Sequence, residues 1–394
     1  MSSILTELGM QPVINATGPW TKMGNSTLSD GVITAMNDAA RAYLPIDELQ
    51  DVAGRAIAEA TGAEAGYATP GASAGLTLAV AACIAGEDPA RIKSLPHIAA
   101  PPHTVAMFRQ HRGYYDFALR ATGAHLRLVD ASVADPLQRL AAAIDDDVAC
   151  VFYDCTGLPY KDHSGGPSLD QVVRIAHERG VRVVADGSMA VPPAENLRAL
   201  VATGADAVAF TASKALQGPA ASGFVACRDD LLRSMALQHQ DLDVLAATTG
   251  AGDPLNRYMG LGRSLKVGKE QIVGMLVALD EYGRRDHSGD QAAWRAALEV
   301  IEGAVRDIDG VSRRWLISNE GRAPYLLIGF EGRLAGIKAE DISERLMAGA
   351  LRVFIAAHHD NTLWVGAESL DSNDAERVAG RLGEVMAAAA RTNE

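Results

Sequence analysis

The chain has 394 residues, 48% of them apolar and 22% charged, a globular composition with room for one large domain and a smaller one. Its net charge of -13 argues against wrapping a nucleic acid, because that affinity comes from lysine and arginine neutralising phosphates. No apolar stretch is long enough to span a bilayer, no signal-peptide pattern is visible, and four cysteines without a C-x-x-C pair read as buried thiols, so a cytoplasmic location is expected.

Along the chain, residues 32–43 and 48–60 carry apolar positions at helical spacing. "AGYATPGASAGLTLAVAACIAG" (65–86) follows, a turn at Thr69-Pro70-Gly71 that feeds a helix of small residues. In "FRQHRGYYDFALRATGAHLRLVD" (108–130), His111 opens a helix capped near Gly123. Next come short apolar runs: "VACVFYD" (148–154), "VRVVAD" (181–186), "ADAVAF" (205–210) and "GFVAC" (223–227). The helix "LDQVVRIAHERG" lies between the first two, with Gly180 to stop it. Such runs separated by helices predict parallel strands buried on both faces. After 260 two amphipathic helices, three strands ("PYLLIGF", "LRVFIAA", "TLWVGAE") and a final helix read as a separate α+β unit. The expected division is an N-terminal segment over 1–47 that packs with the small domain, a large domain over 48–262, and a small C-terminal domain over 263–394.

Ligands bind beyond the carboxyl ends of strands in an open parallel sheet. Asp186 ends one run; Thr211, Ser213 and Lys214 follow another; Cys155 and Thr156 follow a third. A lysine in a confined apolar site has a depressed pKa and suits Schiff-base chemistry. Gly71, Ala72 and Ser73 open a helix whose free N–H groups can take a phosphate. His111 could stack on a planar ring. Amine, acid, anion site and flat side chain together describe pyridoxal 5'-phosphate (PLP), with the acid keeping the pyridine nitrogen protonated. No metal site is expected.

The wording of these motifs resembles fold-type I PLP-dependent enzymes, in the group of selenocysteine synthase and D-glucosaminate-6-phosphate ammonia-lyase. The resemblance runs from about residue 13 to 282 through "VINATGPWTKMGNSTLS", "TPGASAGL", "ADGSMAVPPAENL", "FTASKALQGPAASGF" and "GRSLKVGKEQIVGML". It implies the α/β fold-type I architecture: a large domain with a mainly parallel sheet flanked by helices, and a smaller α+β C-terminal domain. It makes Lys214 the Schiff-base lysine and Asp186 the acid at the pyridine nitrogen. Gly71, Ala72, Ser73, Ser213, Thr156 and His111 become cofactor contacts. Arg263 and Lys266 match a basic pair that holds an anion, and Asn15 and Thr17 stand in a segment placed to reach the active site. A site completed by a second subunit, hence a homodimer or larger, is also implied. Two departures stand out: Thr211-Ala212-Ser213 replaces a Ser-Gly-Gly before the lysine, and His358-His359 stand where a Gly-Glu-Pro stretch is expected.

Only 14 residues precede Asn15, where the selenium transferase carries a tRNA-binding region, so the expected substrate is a small amino acid or amino-sugar acid. The expected reaction is α,β-elimination of the ammonia-lyase type through a Schiff base at Lys214. Racemase, epimerase, aldolase or aminotransferase chemistry is the alternative. A non-catalytic PLP-binding or scaffold protein is a further one. A Rossmann dehydrogenase is the weakest rival, since no G-x-G-x-x-G follows a strand.

Overall fold

A computed structural model of the chain describes residues 4–132, 134–156, 166–239, 260–317, 321–371 and 373–392. Contacts divide these into a larger unit, Leu28–Arg284, and a smaller one made of the residues up to Thr27 together with those from Arg285 onward. Residues 28–47 and 263–284, assigned from sequence to the flanking parts, therefore lie in the larger unit. The helix Lys269–Arg284 packs along the helix Asp30–Ala40. Ser29 donates to Glu281 (2.7 Å) and the Lys269 ammonium to the Ala39 carbonyl (2.6 Å). The missing side chain of Gly274 lets Met36 approach: a Cβ there would lie 2.8 Å from Met36 Cγ.

The first strand in the chain, β1 (Ile14–Asn15), belongs to the smaller unit. The larger unit holds β2 (Ala65–Thr69), β3 (Thr104–Phe108), β4 (His125–Val129), β5 (Val148–Asp154), β6 (Arg182–Asp186), β7 (Ala207–Thr211) and β8 (Gly223–Cys227). Their order is β2-β8-β7-β6-β5-β3-β4. All pairs are parallel except those of β8, which runs against both β2 and β7. The expectation of parallel strands fails at "GFVAC" because a parallel return needs a crossover of a dozen or more residues, usually a helix. Residues 212–222 supply only a loop.

Strand side chains alternate between two cores. Val151, Val183, Val208 and Phe210 face one, with the helix Ile46–Thr61; Phe152, Val184, Ala209 and Val225 face the other, with the helix Ala72–Ala85. That second helix is apolar all round, as a helix enclosed in protein must be. Burying each large apolar side chain contributes about 1.5–3 kcal/mol. Helix ends follow their residues: Ser168 and Gln171 form a capping box at the start of Leu169–Glu178, and Gly180 with φ 69 lies just past its end.

In the smaller unit β9 (Val311–Leu316), β10 (Tyr325–Phe330), β12 (Ala356–Ala357) and β13 (Leu363–Gly366) form an antiparallel sheet ordered β12-β13-β10-β9. β11 (Val353–Phe354) pairs in parallel with β1, so "LRVFIAA" is split between two sheets at Ile355. His358 to Thr362 turn the chain from β12 to β13. The His358 N–H donates to the Thr362 carbonyl (2.8 Å), Asn361 takes φ 61, and the Asp360 carboxylate accepts from the Thr362 hydroxyl (2.6 Å). One donor atom from each of His358, His359 and Asp360 lies within 4.8 Å of the others, a spacing open to a metal ion. His358 is also engaged with Asp360 (3.2 Å) and stacked on Trp364 (centroids 4.5 Å apart).

Candidate active site at the strand ends of the larger unit

The carboxyl ends of β7, β6, β5 and β3 lie side by side, and that of β2 points the same way beyond β8. Every turn leaving this edge can present a polar group to one ligand.

Lys214 stands three residues beyond β7 on a braced turn. The Ala212 N–H donates to the Ser222 carbonyl (3.1 Å), the Gly218 N–H to the Ala212 carbonyl (2.8 Å) and the Gln217 N–H to the Lys214 carbonyl (2.9 Å). Gln217 takes φ 58 to close it. Ala212 and Ser213 are buried and Lys214 is half-buried. The bulkier Thr-Ala-Ser fits because Gly218 leaves room: a Cβ there would meet the Ala212 methyl at 3.0 Å.

Asp186, the last residue of β6, is 4% exposed and accepts a hydrogen bond from the Ser188 N–H (2.9 Å). Burial pushes its carboxyl above the usual range, the Asp154 charge adds to that, and the Lys214 ammonium opposes it. The acid and the amine that the sequence places 28 residues apart therefore sense each other's charge. Asp154, which the sequence reading left out, ends β5 directly opposite Asp186 in the ladder and is 3% exposed. It accepts from the Thr156 N–H (2.8 Å), which gives the buried Thr156 its place here.

Between β2 and the helix Ala72–Ala85 the chain turns at Gly71, with φ 136 and ψ 166, a conformation closed to other residues. Among the described residues no side chain caps this helix start, so its first N–H groups are left for a ligand or water. Among the described residues, a Cβ on Gly71 would meet nothing within 4 Å, so there is open space beside this turn. Gly223 has no such freedom: its Cβ would come within 2.8 Å of the Gly71 Cα, so β8 and the helix start are in backbone contact. Ala72 is buried and Ser73 exposed.

His111 does not open a long helix. It ends a single tight turn, Arg109–His111, and is 2% exposed, edge-on to Tyr153 (centroids 4.4 Å apart) and Phe108 (5.8 Å). Its Nδ1 accepts from the Asp154 N–H (3.4 Å), which leaves the proton of the neutral ring on Nε2. Of the four cysteines, Cys83, Cys150 and Cys227 are buried, whereas Cys155 is half-buried beside this edge.

Arg263 and Lys266 lie elsewhere in the larger unit. They line a cavity of about 1100 Å³ with Tyr67, His239, Arg55, Arg233 and several acids, and the described lining includes none of Lys214, Asp186 and His111. Asn15 and Thr17 belong to the smaller unit. The Asn15 amide donates to the Gly18 carbonyl (2.6 Å), and the Thr17 hydroxyl accepts from the Ala356 N–H (2.8 Å), joining β1 to β12.

The larger-unit edge fits PLP: an uncapped helix start with open space beside its turn for the phosphate, a buried carboxylate in need of a cation for the ring nitrogen, and an amine close enough to sense that carboxylate.

Comparison with known proteins gives the following. No family model matches the chain. It is 32% identical over 387 residues, 96% of this chain and 91% of the relative, to 5'-C-glycyluridine monooxygenase-decarboxylase of Streptomyces sp. It is 28% identical over 399 residues, 98% of this chain and 99% of the relative, to D-glucosaminate-6-phosphate ammonia lyase of Salmonella typhimurium (strain 14028s / SGSC 2262). A solved structure of D-glucosaminate-6-phosphate ammonia-lyase superposes with a TM-score of 0.81 at 28% identity, covering 99% of this chain and 100% of the other. A structure of SPT with PLP, at 12% identity and a TM-score of 0.59, shares the fold.

Proposed function

The chain belongs to the fold-type I PLP-dependent enzyme family of D-glucosaminate-6-phosphate ammonia-lyase, and from that premise we propose α,β-elimination from a small amino acid or amino-sugar acid as its reaction. The enzyme is a PLP-dependent lyase in this reading, releasing ammonia and a 2-keto acid. The observation that carries it is the buried Asp186 set against Lys214 on one strand edge. Bound there, PLP supplies a carbonyl for the amine and an electron sink for charge arising at Cα.

Each residue then has a task. Asp186 would pair with the ring nitrogen, the N–H groups that open the Ala72–Ala85 helix, with Ser213, would hold the phosphate, and His111 would contact the cofactor. The Lys214 amine takes the proton from substrate Cα as general base.

The test is release of ammonia and a 2-keto acid from a panel of D- and L-amino acids and amino-sugar acids that carry a β-hydroxyl group. Elimination is overturned if no such substrate gives product. A second reading, loss of the carboxylate from an α-amino acid carried on a larger molecule, is favoured by the 32% identical monooxygenase-decarboxylase. Carbon dioxide release with oxygen uptake would select it.

The proposed assembly is a homodimer or larger. Arg263 and Lys266 line a cavity whose described lining lacks Lys214, which supports a role for them, holding an anionic substrate group, at the edge of a second copy. Among the described residues no helix is long and apolar enough to cross a membrane, which supports a cytoplasmic enzyme of small-molecule metabolism.

A further inference from the structure

We propose that the turn between β12 and β13 is a binding site for a divalent transition-metal ion, with His358, His359 and Asp360 as its ligands. The inference does not depend on the PLP reading, because the turn belongs to the smaller unit and supplies all three donors itself.

The donor set selects the kind of ion. Each residue offers one ligand atom, and the three atoms lie within 4.8 Å of one another. Two imidazole nitrogens with one carboxylate oxygen suit zinc, nickel or copper, whereas magnesium and calcium prefer oxygen ligands throughout. Ligands 2.0–2.2 Å from zinc stand about 3.3 Å apart in a tetrahedron, so the cluster needs a contraction of at most about 1.5 Å. His359 can supply it. This histidine is exposed, its ring makes no hydrogen bond or ion pair among the described residues, and it meets His358 edge-on with centroids 3.9 Å apart. Three protein ligands leave at least one position on the ion for water.

The rest of the turn is braced, and its bonds orient the ligands from behind. The Asp360 Oδ1 accepts from the Thr362 N–H (3.2 Å) and hydroxyl (2.6 Å) and meets the His358 Nδ1 (3.2 Å). All three bonds fall on one oxygen, so Oδ2 is left for an ion. The Thr362 hydroxyl in turn accepts from the Trp364 indole N–H (3.0 Å), and the His358 ring stacks on that indole. Asn361 ties the turn to the start of the helix Ala339–Met347: its amide donates to the Ile337 carbonyl (2.9 Å) and accepts from the Ala339 N–H (2.8 Å). Chain reversal itself asks for neither imidazole, because the positive φ falls on Asn361 and the side-chain bonds that shape the turn run between Asp360 and Thr362. An ion that binds only the folded turn stabilises the smaller unit by mass action.

The experiment titrates the full chain, loaded with PLP and freed of excess cofactor, with zinc chloride and with magnesium chloride in a calorimeter. Wild type is expected to bind zinc at this turn with a Kd on the order of micromolar, weaker than a four-ligand structural site, and to show no magnesium binding in that range. His359→Ala is expected to lose this site. Asp360→Asn keeps the acceptor for Thr362 but removes the charged ligand, and is expected to weaken zinc about tenfold or more. His97→Ala, an exposed histidine in the larger unit, serves as the control and should bind as wild type does. Zinc at about a hundred times Kd is expected to raise the wild-type Tm by about 2–4 °C and to leave that of His359→Ala unchanged. Electron paramagnetic resonance with copper(II) gives a readout that survives any change in stability: nitrogen coupling from two imidazoles in wild type, and from fewer in His359→Ala. No zinc binding at about 100 μM, wild-type affinity in His359→Ala, or identical copper spectra for the two proteins would each overturn the proposal.

Discussion

Lys214 was legible because a lone amine follows an apolar run and meets a loop of small residues, and Asp186 because it ends such a run. Asp154 ends a run in the same way, but sequence cannot show that β5 and β6 are neighbours in register, and only that register turns two strand-end acids into a pair. The Arg263–Lys266 motif was legible as a pair, but its cavity was not. Replacing Lys214 by Ala is expected to remove the visible absorbance of bound cofactor that borohydride bleaches in the wild type. Turnover is expected to fall by about 10³-fold or more. Spectra and initial rates check this, and a persisting bleachable band would reassign the lysine.

At the element scale, strand bounds followed apolar runs closely, "VACVFYD" coinciding with β5, because continuous β-branched runs have few other ways to bury both faces. The direction of β8 was not legible, since direction depends on the connection and not on the strand's own residues. Gly71 shows what a single position can demand. Its φ of 136 makes Gly71→Ala strained even with open space around it, with an expected cost of about 1–3 kcal/mol and weaker PLP binding. Urea denaturation and a PLP titration measure the two effects separately. A second element-level device joins β2 to the segment that carries Arg263. The His239 Nε2–H donates to the Leu265 carbonyl (2.8 Å), so Nδ1 accepts from the Tyr67 hydroxyl (3.0 Å). Burial holds His239 below the usual histidine range, and the bond to Leu265 partly offsets it. Such a histidine binds fewer protons folded than unfolded. Its contribution to stability is present above about pH 6.5 and is lost as pH falls through the lower folded value. His239→Leu is therefore expected to be less stable at neutral pH yet to lose less Tm between about pH 7 and 5.

For the whole molecule, the sequence conveyed the sheet-and-helix alternation but placed the domain boundaries by a change in pattern. The packing of Lys269–Arg284 on Asp30–Ala40 joins segments some 230 residues apart, a contact that no local pattern announces. Assembly can be tested by complementation. If Arg263 serves the Lys214 site of a second copy, Lys214→Ala and Arg263→Ala, each inactive alone, will regain activity when refolded together, because a mixed dimer holds one intact site. No recovery, with light scattering showing that mixed assemblies form, would confine the site to one chain. A monomer of 41.4 kDa at working concentration would remove the assembly proposal.

The contact between Gly223 and Gly71 has a consequence for cofactor choice. The loop that carries the lysine is clasped at Ala212 and Ser222, next to Gly223, and Gly223 lies against the helix start. The proposed tether and the proposed phosphate seat thus share one backbone frame, with the reach of a caliper. If they serve PLP as proposed, a vitamer without the phosphate arm would engage one jaw and miss the other, and titration with PLP and with pyridoxal is expected to show tighter binding of PLP.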